Sequence, residues 1–379
     1  MKPVRSDKTG QPALLETGSP LERHDRRESA RRRRLIRLLG LGVLLLLLCG
    51  LMELGARVYW KTRGVPLWGA CEKLHWAFYP ELGEIERTPV DPEGDTVEIL
   101  LLGGSALSSR YGNIEYVLHE ELSRRLSPRV RVHNAAAPAH TTLDSLYKYR
   151  HLDGRRFDLV LVYHGINDAR ANNCPPELFR DDYSHYAWYS LINDYERGPA
   201  TRWLVFPYTL EFVAVKAAER LGLADYVPMH QPRADWLDYG CDVKTEKPFR
   251  TNLDALVRLA RQRNQRLLLM TYAYYLPADY SEQKFKAQEL DYTTHAFPVE
   301  LWGKPTCVIA ALEAHNRAVA ALAAENPEVL FVDQNSQMPK DAKDFNDICH
   351  FTHDGCRQLV DNLLETVLGA LAPTTPGAQ

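Results

Sequence analysis

Three short blocks of the chain carry residue types that can do chemistry together. Gly103-Gly104-Ser105-Ala106 places a serine directly after the apolar run VEILLLGG. Two glycines at that point let the backbone turn sharply and leave a hydroxyl exposed at the end of a strand, which suits a nucleophile. The same tripeptide also serves as an ordinary turn. A dinucleotide loop would open similarly, but it wants G-x-G-x-x-G, and no glycine stands between Gly104 and Gly112. Gly165-Ile166-Asn167-Asp168 closes a second apolar run, FDLVLVYHG. An asparagine there can donate its amide to a developing oxyanion, or it can cap a turn. Asp347-Ile348-Cys349-His350 precedes a C-terminal amphipathic segment. An imidazole acts as a general base for serine when a carboxylate accepts its other N–H and fixes the tautomer, and Asp347 lies three residues before His350. His353 and Asp354 raise a metal-site reading, which lacks partner ligands elsewhere in the chain; no metal and no cofactor are expected.

The elements that must position these residues are legible from periodicity. Apolar runs at 97–104, 130–136, 157–165, 266–273 and 329–333 read as buried strands. Helical spacing falls between them: Ile114, Val117, Leu118 and Leu122; Leu143, Leu146 and Tyr147; Leu253, Leu256, Val257 and Ala260; Val308, Leu312 and Val319. Continuous apolar strands separated by helical crossovers predict an α/β fold, a three-layer α/β/α sandwich around a five-stranded parallel sheet. In such sheets chemistry gathers at the carboxyl ends of the strands. Residues 170–248 interrupt the alternation with Tyr, Trp, Pro and Asp around a helix near Leu210 to Leu221. They read as an insertion over the site, for which a cleft-shaping and a plainly structural role both fit. Residues 276–305 are aromatic and irregular in the same way.

The order of the blocks, a serine after the first strand, Gly-x-Asn-Asp after the third and Asp-x-x-His before the last helix, resembles the SGNH hydrolase family, also called GDSL-type esterases and lipases. The resemblance spans about residues 97–370 apart from the insertion. It implies a flavodoxin-like fold, with Ser105 as nucleophile, His350 as general base and Asp347 as its orienting carboxylate. The oxyanion hole would be the N–H of Ser105, the side chain of Asn167 and a backbone N–H from the second block, Asn134 to Thr142. Two departures stand out. The family's Asp before the serine is Gly104, and the usual glycine of the second block is Ala139, which can still donate its N–H if its φ/ψ is allowed. The implied activity is cleavage of carboxylic esters, acyl or acetyl groups on glycans or lipids. An O-acyltransferase with the same residues and a silent glycan-binding domain are the alternatives.

Composition bounds the rest. The 379 residues carry a formal net charge of -3, yet residues 1–37 hold eleven Lys/Arg against five Asp/Glu. The remainder is therefore acidic, which argues against a nucleic-acid partner. Leu38 to Met52 contains no charge, and apolar character continues to Trp60. A bilayer needs about 20 residues, and Arg37 and Arg57 can snorkel to the two interfaces. The span 35–60 thus reads as a membrane anchor. Arg31 to Arg34 and Arg37 precede it, so the positive-inside bias puts the N-terminus in the cytoplasm and the body on the periplasmic or cell-surface side. A cleaved signal peptide is the competing reading, with a long basic lead and no clear cleavage site against it. Residues 1–34 are expected to be a disordered basic tail, 61–95 a linker, 96–372 the catalytic domain and 373–379 a second tail. Outside Cys49 in the apolar run, six cysteines in an oxidising compartment allow disulfides without specifying their pairing.

Overall fold

The computed structural model describes residues 20–91, 94–126, 129–198 and 203–372. The chain divides into two compact units, 1–59 and 60–379. In the first unit a single helix, α1 (Pro20–Lys61), runs through the whole apolar segment and ends just inside the second unit. It begins fifteen residues before the expected anchor, so the stretch 20–34 is helical and not a disordered tail, as befits its Arg and Glu content; residues 1–19 lie outside the described residues. Leu38, Leu44, Leu46 and Leu51 are exposed along α1, which is long and apolar enough to cross a membrane. Arg57 donates to Glu53 one turn earlier at 2.6 Å, an ion pair that offsets both charges within the apolar stretch.

The second unit is a parallel five-stranded sheet between helical layers. Before it come two short helices, α2 (Ala70–Lys73) and α3 (Pro80–Arg87). Then β1 (Thr96–Gly103), α4 (Ile114–Arg125), β2 (Arg129–Asn134), α5 (Thr142–His151), β3 (Leu159–Tyr163) and a one-turn α6 (Ile166–Arg170) alternate. The insertion contributes α7 (Ala187–Arg197) and α8 (Phe206–Leu221). The alternation resumes with α9 (Glu246–Gln262), β4 (Arg266–Met270), α10 (Glu282–Ala287), α11 (Pro305–Glu325), β5 (Leu330–Val332), α12 (Gln334–Gln337) and α13 (His353–Leu371). All ladders are parallel, in the order β2-β1-β3-β4-β5.

Helices α4 and α13 cover one face of the sheet, and α5, α9 and α11 cover the other. The central strands are therefore buried on both sides, which explains why β1 and β3 read as unbroken apolar runs. The chain order reverses between β1 and β3, and the two strands open a crevice at their carboxyl ends.

Residues 61–95 are expected from the sequence to be a linker, but the stretch from Val65 to Ile85 is packed into this unit. Val65, Leu74, Phe78, Tyr79 and Leu82 are buried. Tyr79 donates to Asp144 at 3.0 Å, and Glu81 of α3 pairs with the fully buried Lys148 of α5 at 2.5 Å. A lysine can be buried only with such a partner, so α3 is part of the structure that supports the sheet's edge. Of the cysteines, Cys241 and Cys307 are bonded to each other, tying the end of the insertion to α11. Cys49, Cys174, Cys349 and Cys356 are free.

Candidate active site

Ser105 sits two residues beyond the end of β1, in a tight turn where the N–H of Ser108 donates to its carbonyl. Gly104 is needed for what lies beside it. A Cβ there would come within 2.6 Å of the Asn167 amide nitrogen. Asn167 itself is delivered by β3, in the first turn of α6.

His350 and Asp347 come from a closed loop ahead of α13. The N–H of Asn346 donates to the carbonyl of His350, that of Thr352 to Asp344, and Phe345 bridges Phe351. Thr352 then caps α13 by accepting from Gly355 N–H. Gly355 is obligatory, because a Cβ would lie 2.0 Å from the Asp344 carbonyl oxygen. Within this loop Asp347 is completely buried, and its Oδ1 accepts from the backbone N–H groups of Cys349 and His350 at 2.9 Å each.

Oδ2 of Asp347 lies 2.7 Å from His350 Nδ1, and His350 Nε2 lies 2.8 Å from Ser105 Oγ. Asp347 accepts three hydrogen bonds, one of them from Nδ1–H of His350, so Nε2 is left as the acceptor for the hydroxyl. That arrangement can draw a proton from serine as it attacks a carbonyl. The rings of Tyr111, Phe297 and Trp302 surround His350 at 5.0, 5.3 and 6.0 Å, excluding bulk water from the imidazole.

The oxyanion candidates meet on the other side of Ser105. Asn167 Nδ2 donates to the carbonyl of His140 at 3.0 Å, which leaves its second hydrogen free. Its Oδ1 is fixed by two donors, Arg170 at 3.1 Å and Trp302 Nε1 at 3.3 Å. Ala139, adjoining His140, adopts the left-handed conformation with φ 66. An alanine pays about 1–3 kcal/mol for that conformation, and its N–H is turned out of local secondary structure. Neither this N–H nor that of Ser105 has a partner among the described residues. The loop is held against the sheet by Ala137 N–H donating to Gly103, and by Lys148 donating to Ala135 at 2.6 Å.

Sequence reasoning missed the residues that orient the site. Asp144 closes a capping box on Thr141 and accepts from Tyr79 and Tyr189. Asp168 accepts from Thr142 and Tyr183, and burial pushes its carboxyl up to about 7. The donors Tyr183 and Tyr189 belong to the insertion. Arg170 is buried, and burial pulls its guanidinium below the ordinary range. Only its i,i+3 spacing from Asn167 on a helix could have signalled its role; Trp302, far along the chain, left no local signal. Ligand atoms of Asp347, Cys349 and His350 lie within 4.8 Å of one another. Burial pushes the Cys349 thiol well up, so it remains neutral and is a poor metal ligand. His353 is engaged on the surface with Asn113 and Arg357.

A parallel sheet that presents a serine hydroxyl to an aspartate-backed imidazole, at its topological switch point, has the geometry of a serine hydrolase. Residues 101–358 match the GDSL-like Lipase/Acylhydrolase family, and the chain belongs to that family as an ester-hydrolysing enzyme. No curated protein sequence matches it at a significant level. Among solved structures it is similar to a GDSL-like lipase from Bacteroides thetaiotaomicron, with 12% identity over 77% of this chain and 98% of that one at a TM-score of 0.43. A lipase/acylhydrolase from Enterococcus faecalis shares 15% identity over 74% and 99%, at a TM-score of 0.38. An acetylxylan esterase from Geobacillus stearothermophilus shares 16% over 72% and 94%, also at 0.38.

Proposed function

We propose that the protein is a membrane-anchored, extracytoplasmic serine esterase that removes acyl or acetyl groups from glycans or lipids by way of an acyl-enzyme. The observation that carries this reading is the continuous hydrogen-bonded relay from Ser105 through His350 to Asp347, at 2.8 and 2.7 Å. Ser105 Oγ attacks the ester carbonyl while its proton passes to His350 Nε2. The negative charge on the carbonyl oxygen is taken up by the N–H groups of Ser105 and Ala139 and by Asn167 Nδ2, each donor contributing about 3–4 kcal/mol. The imidazolium, stabilised by Asp347, returns its proton to the leaving alcohol. Water then enters by the same base and releases the acid. The anchor part of the reading rests on the exposed apolar length of α1 and on Arg31 to Arg34 and Arg37 before it.

The test is hydrolysis of short- and long-chain p-nitrophenyl esters by the full chain in detergent. Ser105→Ala and His350→Ala should each reduce kcat by about 10⁴-fold or more. An inactive wild type whose Ser105 also resists a fluorophosphonate would overturn the esterase reading. Product analysis with an added sugar acceptor distinguishes hydrolysis from acyl transfer, because a transferase forms the acylated acceptor at the expense of free acid.

A further inference from the structure

Arg170 is a buried charge without a counter-ion. The residue is 5% exposed, and among the described residues its guanidinium makes one hydrogen bond, from Nη2 to Asn167 Oδ1, and no ion pair. Burial lowers its pKa, yet an arginine stays protonated at any ordinary pH. The nearest acidic residue in sequence, Asp168, is turned to Thr142 and Tyr183 instead. Burial holds that carboxyl at about 7, which makes it a weak anion for the guanidinium. A charge taken out of water without an opposite charge beside it is strongly unfavourable. It persists in a fold where something else stabilises it or where function needs it.

The place of Arg170 points to function. Asn167 and Arg170 lie three residues apart on the single turn of α6, so their side chains share a face. The guanidinium holds the oxygen of a carboxamide whose nitrogen lies beside Gly104, the residue before the nucleophile. A cation on Oδ1 draws electron density toward that oxygen and leaves the Nδ2 hydrogens more positive. The amide thereby becomes a stronger donor, as hydrogen bonds in a chain strengthen one another. Trp302 Nε1 donates to the same oxygen at 3.3 Å but is neutral, so Arg170 alone brings a charge to it. In the resting enzyme that charge is unmatched. Once Ser105 attacks an ester, negative charge appears on the far side of the same carboxamide.

We propose that Arg170 is the counter-charge of the tetrahedral intermediate, a positioning residue whose guanidinium acts through Asn167 to strengthen the oxyanion hole as negative charge develops there. This role rests on the esterase reading above, and it adds one fixed positive charge to the neutral donors of that mechanism. An interaction that grows only as the transition state forms raises kcat and leaves ground-state binding unchanged.

The experiment compares the full chain in detergent with Arg170→Met, which removes the charge but keeps an unbranched apolar stem, and with Arg170→Lys, which keeps the charge. With p-nitrophenyl acetate, Arg170→Met should lower kcat about 30-fold and leave KM within about twofold. Arg170→Lys should stay within about fivefold of the parent. Phenylboronic acid adds to Ser105 Oγ as a tetrahedral anion while the serine proton passes to His350, and Arg170→Met should bind it about 30-fold more weakly. The Tm of Arg170→Met should equal or exceed that of the parent, because an apolar side chain replaces an unpaired buried charge. A kcat within about threefold of the parent in Arg170→Met overturns the proposal. So does an Arg170→Lys protein as slow as Arg170→Met. An Arg170→Met chain that melts at a lower temperature or does not fold overturns it too, since the arginine would then be structural. A parent that neither hydrolyses the ester nor reacts with a fluorophosphonate overturns the esterase reading itself and this role with it.

Discussion

The Asn167 amide lies where a side chain on Gly104 would have to be, so Gly104→Ala should push Nδ2 away from its proposed place in the oxyanion hole. The expected result is a kcat lower by about 100-fold with KM little changed, checked by steady-state hydrolysis of a p-nitrophenyl ester. A rise in KM with kcat unchanged would contradict the placement. Ala139 tells the opposite story, since its left-handed φ of 66 is one that glycine adopts freely. Ala139→Gly should raise stability by about 1 kcal/mol, read as a higher Tm, and leave hydrolysis within about twofold. Sequence reading could see that an alanine stood where the resembling family has a glycine. It could not see that the backbone keeps the glycine conformation regardless, because φ at that residue is imposed by Lys148 and Gly103 holding the flanking loop.

The insertion and the segment before β1 act as structural supports for the site. Tyr189 donates to Asp144 and Tyr183 to Asp168, so α7 and the loop before it hold the two carboxylates that organise the start of α5 and the turn carrying Asn167. The far end of the insertion is closed by the Cys241–Cys307 bond, 66 residues apart in sequence. Linking a loop of that length removes about 4 kcal/mol of unfolded-state entropy. Cys307→Ser should therefore lower the urea midpoint substantially, with reductant producing the same loss in the parent and none in the variant. Such a bond forms and persists in an oxidising compartment, in keeping with the extracytoplasmic placement proposed above. The strands and main helices were visible as periodic patterns because each has a uniform environment. Helices α2 and α3 were not, since four and eight residues have little periodicity of their own.

Across the whole molecule, burial of ionisable groups sets the pH dependence of stability. His164, His185 and His315 are buried as neutral imidazoles, with burial lowering them to about 3, 4 and 3 from 6.5. The unfolded chain takes up protons below pH 6.5 that the folded chain refuses, so this contribution is complete above that value and is lost as pH falls toward about 4. Asp168, raised to about 7, works in the opposite direction, favouring the fold at lower pH. His75, His133, His140 and His230 are lowered by burial as well, so the imidazoles outnumber the raised carboxyls Asp168 and Asp344 and leave a net loss on acidification. Tm should fall between pH 6.5 and 4, and His315→Gln should flatten the slope by about 1.4 kcal/mol per pH unit; an unchanged slope would refute the assignment. The sequence by itself determined the layered parallel sheet, the long apolar helix, the serine and asparagine at strand ends and the Asp-x-x-His block before the last helix, because periodicity and chain order are local properties. The tertiary structure decided what surrounds them. Trp302 on Asn167 and the tyrosines on the buried carboxylates depend on contacts between residues far apart in the chain, and no local pattern encodes which side chain will fill a given space.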